Sequence, residues 1–217
     1  MLRTIGILFL ATIIWWLWPD HGLRHPPGIL APATPAQEMI PPKSLGDFKG
    51  YHIQAVATYA MHARVLHTKH YWANGNDLVP YDLALGWRRM SDQAVIDRLD
   101  ISQANRFFFY QWSGEAPIPP GEIVRSAANT HVISANSDVA SAVSKLRAGQ
   151  LVAMKGYLVN VTGPNGFHWN TSLTRDDTGN GACELFYVEE ILVSNDPLPA
   201  DYRKLAASAP AAAASTK

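Results

Sequence analysis

Apolar and polar positions alternate along Tyr51–Tyr59 (YHIQAVATY), the period of a half-buried strand. Ala63–Trp72 reads as a second strand, ended by the turn cluster Asn74-Gly75-Asn76-Asp77. Tyr81–Trp87, the aromatic Arg106–Trp112, Asn129–Ile133, Leu151–Val161, Phe167–Leu173 and Ala182–Val193 read as further strands. Pro119-Pro120 breaks the aromatic run ahead of a helical turn at Glu122–Ala127, and Gly163–Gly166 marks a turn. Two stretches carry the helical period. Ser91-Asp92 opens one that runs through Leu99, with Val95, Ile96 and Leu99 on one face. Ser137-Asp138 opens the other, with Val139, Val143 and Leu146 on one face. The chain is therefore expected to be mainly β in the α+β class, with two or three short helices. Gly156 inside the longest strand predicts the bend or bulge that a small closed or part-open barrel needs.

The ends behave differently. Behind Arg3, Ile5–Trp18 carries no charge. It is shorter than the roughly 20 residues that span a bilayer comfortably. Trp15, Trp16 and Trp18 cluster at its far end, where an anchor meets the membrane interface. Residues 1–18 are therefore expected to be an uncleaved signal anchor rather than a cleaved leader. That predicts a single pass of a bacterial inner membrane through residues 2–18, with the domain in the periplasm. Residues 19–44 hold seven prolines and read as a linker. Residues 45–195 form the folded domain, and the Ala-rich residues 196–217 a disordered tail.

Formal net charge is zero across 217 residues, which argues against a nucleic-acid partner. The single cysteine, Cys183, excludes a disulfide within the chain. No phosphate-binding, dinucleotide, GxSxG or HExxH pattern occurs, and nothing calls for a cofactor or a metal. His67 and His70 point to opposite faces of a strand, which spoils them as a metal pair. The charged loop Ser172–Glu184 is the most distinctive segment. It is either a turn closed by its own hydrogen bonds or a holder of charge for a ligand. Asp177-Thr178-Gly179 is similar to the aspartic-protease tripeptide, but that chemistry needs two such aspartates and the chain has one copy. His131, in a polar stretch before a hydrophobic pair, is the best single candidate for a base or ligand contact.

Two resemblances extend this reading. Lys145–Leu158 looks like the first strand of an oligonucleotide/oligosaccharide-binding (OB) type barrel. Tyr81–Trp87, Ile101-Ser102, Asn129-x-His131, Gly156–Val159 and Arg175-x-Asp177-Thr178-Gly179-x-Gly181-Ala182-Cys183-Glu184 are similar to bacterial membrane-anchored proteins of unknown function. That likeness implies placement and plan, not chemistry. The expected function is a non-catalytic binding or assembly module that meets an envelope protein or glycan. Its expected contact residues are Trp87, His131, Trp169, Arg175 and Asp176. The alternative is an envelope hydrolase with His131 as base, oriented by Asp176 or Asp177, with or without the assistance of a metal.

Overall fold

The structure, a computed structural model, describes residues 22–72, 77–174 and 183–198. The signal-anchor segment, most of the Ala-rich tail, and Arg175, Asp176 and Asp177 lie outside the described residues. Among the described residues no helix is long and apolar enough to cross a membrane.

The described chain is mainly β. Its strands are β1 (Ala36–Phe48), β2 (Tyr51–His70), β3 (Tyr81–Gly86), β4 (Asp100–Ala104), β5 (Phe107–Gln111), β6 (Ala127–Ser134), β7 (Leu151–Thr162), β8 (His168–Trp169) and β9 (Glu184–Ser194). Its helices are α1 (Gln93–Ile96), α2 (Pro120–Ser126) and α3 (Ser137–Ser144). Seven strands form one sheet in the order β1-β2-β3-β6-β9-β7-β8. A further pairing of β7 with β2 closes the central strands into a ring. Every ring pairing is antiparallel except β6 with β9, which is parallel.

β2 is one continuous strand where two were expected, because it serves both sides of the ring. Its length pairs with β7, its last part with β3, and its first half with β1. Register shifts at Ala55/Ala57 and Val65/His67 bend it round. Between those bends Ala57, Tyr59, Met61, Ala63 and Val65 all face the interior and are fully buried. Tyr59 meets Phe186 of β9 edge-on, with ring centroids 4.9 Å apart. Val139 and Val143 of α3, with Leu146, close this core. Each such side chain contributes roughly 1.5–3 kcal/mol on burial. Asn136, not the expected Ser137-Asp138, caps α3 by accepting from the Val139 N–H at 2.9 Å. Gly156 sits at a register shift between β7 and β9, and a Cβ there would lie 2.0 Å from the Tyr187 carbonyl oxygen. Only glycine lets the two backbones approach that closely.

Three expectations differ from the structure. The stretch expected as a linker joins the domain from residue 22. Ala31 is fully buried, and residues 36–48 form β1 on the edge of the sheet. Pro41 and Pro42 fall in the register gap between Met39 and Lys43, where an edge strand tolerates a missing N–H. The helix expected from Ser91 to Leu99 is a 3-10 turn at Arg88–Ser91 followed by α1, which Asp92 caps through the Ala94 N–H at 2.9 Å. Of the strand expected at Phe167–Leu173, only His168 and Trp169 pair.

Candidate functional site

β4 and β5 form a hairpin whose turn residues, Asn105 and Arg106, have φ of 52° and 69°. Two successive positive φ values are the signature of the tight hairpin turn that matches strand twist. The second place normally takes glycine, and an arginine there carries backbone strain. Its side chain explains the choice. Arg106 reaches over the outer face of β3 and β6, where Asp82 and His131 stand directly opposite each other in the strand register. The guanidinium donates to Asp82 Oδ1 at 2.6 Å through Nη1 and to the Val79 carbonyl at 2.9 Å through Nη2. His131 Nδ1 meets the same Asp82 oxygen at 2.8 Å.

Two aromatic residues from the flanking connections enclose the charges. The Tyr71 ring lies 3.8 Å beneath the Arg106 guanidinium, and its hydroxyl accepts from the Arg106 N–H at 2.9 Å. Burial raises the Tyr71 pKa above the ordinary phenol value, and the negative charge of Asp82 adds to the rise. The Trp169 ring lies 4.8 Å from the His131 ring and 5.8 Å from the guanidinium. Asn129, two residues before His131 and so on the same face, donates to the Arg106 carbonyl at 2.9 Å. It also lies 3.6 Å from Cys183 Sγ. The Gln103 amide bridges Asn129 to Nδ1 of His67.

Burial makes this polar seam consequential. The Asp82 side chain is 0% exposed, His131 4% and Arg106 22%. Asp82 Oδ2 is fully buried and makes no hydrogen bond among the described residues. A carboxylate only accepts, so His131 Nδ1 carries the proton, and in the neutral ring Nε2 is left as the acceptor. That tautomer suits either a ligand hydroxyl or a proton to be removed.

The structure brings together two of the expected site residues, His131 and Trp169. Trp87 is not at a contact surface. It is fully buried in the interior core, and its indole N–H is satisfied by the Arg125 carbonyl at 3.2 Å. It directly follows β3, so it continues the inward-facing positions of Leu83 and Leu85. Arg175, Asp176 and Asp177 lie outside the described residues, but both ends of their loop are pinned. Ser172 N–H donates to the Cys183 carbonyl at 3.1 Å, and Leu185 N–H donates to Thr171 Oγ1 at 3.0 Å. The Thr171 N–H donates to Asn160 Oδ1 at 3.1 Å, which ties this end of the loop to β7.

Other candidates disperse. His70 stacks on Tyr81 with centroids 4.3 Å apart, away from the partner of His67. Among the described residues no group of three metal-ligating side chains converges. Of the aromatic run, Phe108, Tyr110 and Trp112 pack into a satellite core with Met90 and Ile123, while Phe109 is exposed.

Sequence reasoning missed Asp82, Arg106 and Tyr71. Asp82 had a signal: it is the lone charge in the apolar strand Tyr81–Trp87, and a buried charge requires a partner. Arg106 had none, since Asn-Arg is not a recognised hairpin turn. The comparisons with known proteins add no name to this geometry: no protein-family description, no curated protein and no solved structure matches the chain.

Proposed function

We propose that the protein is a non-catalytic binding module of the OB plan, held at the periplasmic face of a bacterial inner membrane by its N-terminal segment. Its ligand is an envelope glycan. The strand order supports the plan. β2, β3, β6, β7 and β9 succeed one another as the five strands of such a barrel, with the third and fifth parallel and a helix, α3, between the third and fourth. On this alignment Lys145–Leu158 leads into the fourth strand rather than the first. OB barrels bind on the face of their second and third strands, between two flanking loops. Asp82 and His131 occupy that face, and Tyr71 and Trp169 come from the corresponding loops.

The observation that carries the reading is the pair of rings at the seam, the His131 imidazole held by Asp82 and the Trp169 indole with its centroid 4.8 Å away. A sugar offers hydroxyls to an imidazole and an apolar ring face to an indole. The test titrates N-acetylglucosamine oligosaccharides into the full-length protein in detergent, following tryptophan fluorescence. Saturable quenching that is lost in Trp169→Ala and weakened at least tenfold in His131→Ala supports the reading. Unchanged affinity in both variants overturns it.

The His131–Asp82 contact favours one second reading, hydrolysis with His131 as the base. Asp82, rather than Asp176 or Asp177, then orients the imidazole. Shortening of the oligosaccharide during the titration, abolished by His131→Gln, distinguishes catalysis from binding.

A further inference from the structure

A second arginine on the outer side of the ring poses a different problem. Arg64 of β2 is only 2% exposed. Its three hydrogen bonds all go to neutral acceptors: the Ser91 carbonyl at 3.3 Å, the Leu23 carbonyl at 3.4 Å and Gln93 Oε1. Arg64 Nε is buried with no hydrogen-bond partner among the described residues. The nearby carboxylates are committed elsewhere. Asp97 pairs with Arg24 at 2.7 Å and accepts from Gln93 at 2.6 Å. Asp92 accepts from the N–H groups of Gly28 at 2.8 Å and Ala94 at 2.9 Å. Burial lowers the Arg64 pKa, with the charge of Asp97 opposing that shift and Arg24 reinforcing it.

This cation, with no carboxylate in direct contact among the described residues, lines a cleft of about 400 Å³. One wall is the strap at residues 22–24, held by Leu23 N–H to the Ala148 carbonyl at 2.7 Å. The other walls carry Leu66, Ile96 and Leu99 together with Gln93 and Asp97, the latter paired with Arg24. The volume falls in the range of small-molecule sites. A buried guanidinium with no anion is costly, and an anion seated beside it removes that cost. The apolar part of the lining, Leu66, Ile96 and Leu99, accepts a short hydrocarbon tail.

We infer that this cleft is a binding site for a small aliphatic carboxylate, with Arg64 gripping the carboxylate and Leu66, Ile96 and Leu99 enclosing the tail. The site is separate from the His131 seam and does not depend on its reading.

The test uses the full-length protein in detergent and sodium propionate as the probe, with chloride and inorganic phosphate at matched ionic strength as controls. Propionate at ten times its Kd is expected to raise Tm by about 3–6 °C, saturably. Arg64→Met is expected to abolish the rise. Ile96→Phe keeps the arginine and fills the cleft, so it must also abolish the rise while holding Tm in chloride near that of the wild type. His131→Ala must leave the rise intact. No saturable propionate effect in the wild type, an equal effect of phosphate, or an undiminished effect in Ile96→Phe overturns the inference.

Discussion

Arg106 and Arg64 are both withdrawn from water on the outer side of one ring, yet they are satisfied in different ways. Arg106 meets the Asp82 carboxylate at 2.6 Å, a carbonyl, and the face of Tyr71. Arg64 is more deeply buried and meets only neutral oxygens. In one region the arginine's charge is closed within the chain, from a turn that carries backbone strain, and the seam around it still presents His131 and Trp169. The other leaves a charge for something outside the chain to complete. Burial of a charge alone therefore does not say whether its counter-charge comes from within the chain.

The largest effect is expected at the closed region. Asp82→Ala removes the shared acceptor of Arg106 and His131 and leaves a desolvated cation, so urea unfolding should show a loss of about 3–5 kcal/mol. A loss below about 1 kcal/mol would remove the contrast with Arg64. Next comes Arg106→Lys. A lysine keeps the charge but not the fork that spans Asp82 and the Val79 carbonyl, nor the flat stack on Tyr71. A loss of about 1–2 kcal/mol is expected in the same assay. Arg64→Met should go the other way in the absence of ligand. Replacing an uncompensated buried cation by an apolar chain of similar reach is neutral or stabilising by about 1 kcal/mol. A destabilisation matching that of Asp82→Ala would mean that the neutral acceptors suffice.

The smallest expected effect concerns Glu189, a half-buried carboxylate on β9. Burial raises its pKa above the ordinary carboxylate value, Lys43 pulls it down, and Glu190 adds to the rise. A folded pKa above the unfolded one means that the stabilising form is the neutral acid. That contribution is complete below the unfolded value and is lost as pH rises through the folded value. Glu189→Gln should thus match the wild type in acid and gain a small rise in Tm at neutral pH. An equal Tm difference at both pH values would assign the effect to packing instead of charge.

Much of the ring could be read from the chain alone. Apolar, β-prone runs mark β3, β6, β7 and β9, and Gly156 marks the bulge, because β propensity and backbone permissiveness are local properties. β1 could not be read, since its prolines resemble those of a linker and only its register with β2 makes it a strand. The short β4 has no pattern until β5 lies beside it. Trp87 shows the same limit for sites. An indole at the end of an apolar strand serves a core or a surface equally well, and only the side on which the ring closes decides.

By itself the sequence determined the fold class, most strand positions, the Asp92 cap of α1, and His131 and Trp169 as residues worth watching. These follow from contacts spanning a few residues. The pairing of Asp82 with His131, the descent of Arg106 onto them, and the neutral acceptors around Arg64 among the described residues were decided only by tertiary structure. Those groups lie tens of residues apart. Whether a charge finds a partner depends on which strands the ring makes neighbours, and no short window of sequence contains that information.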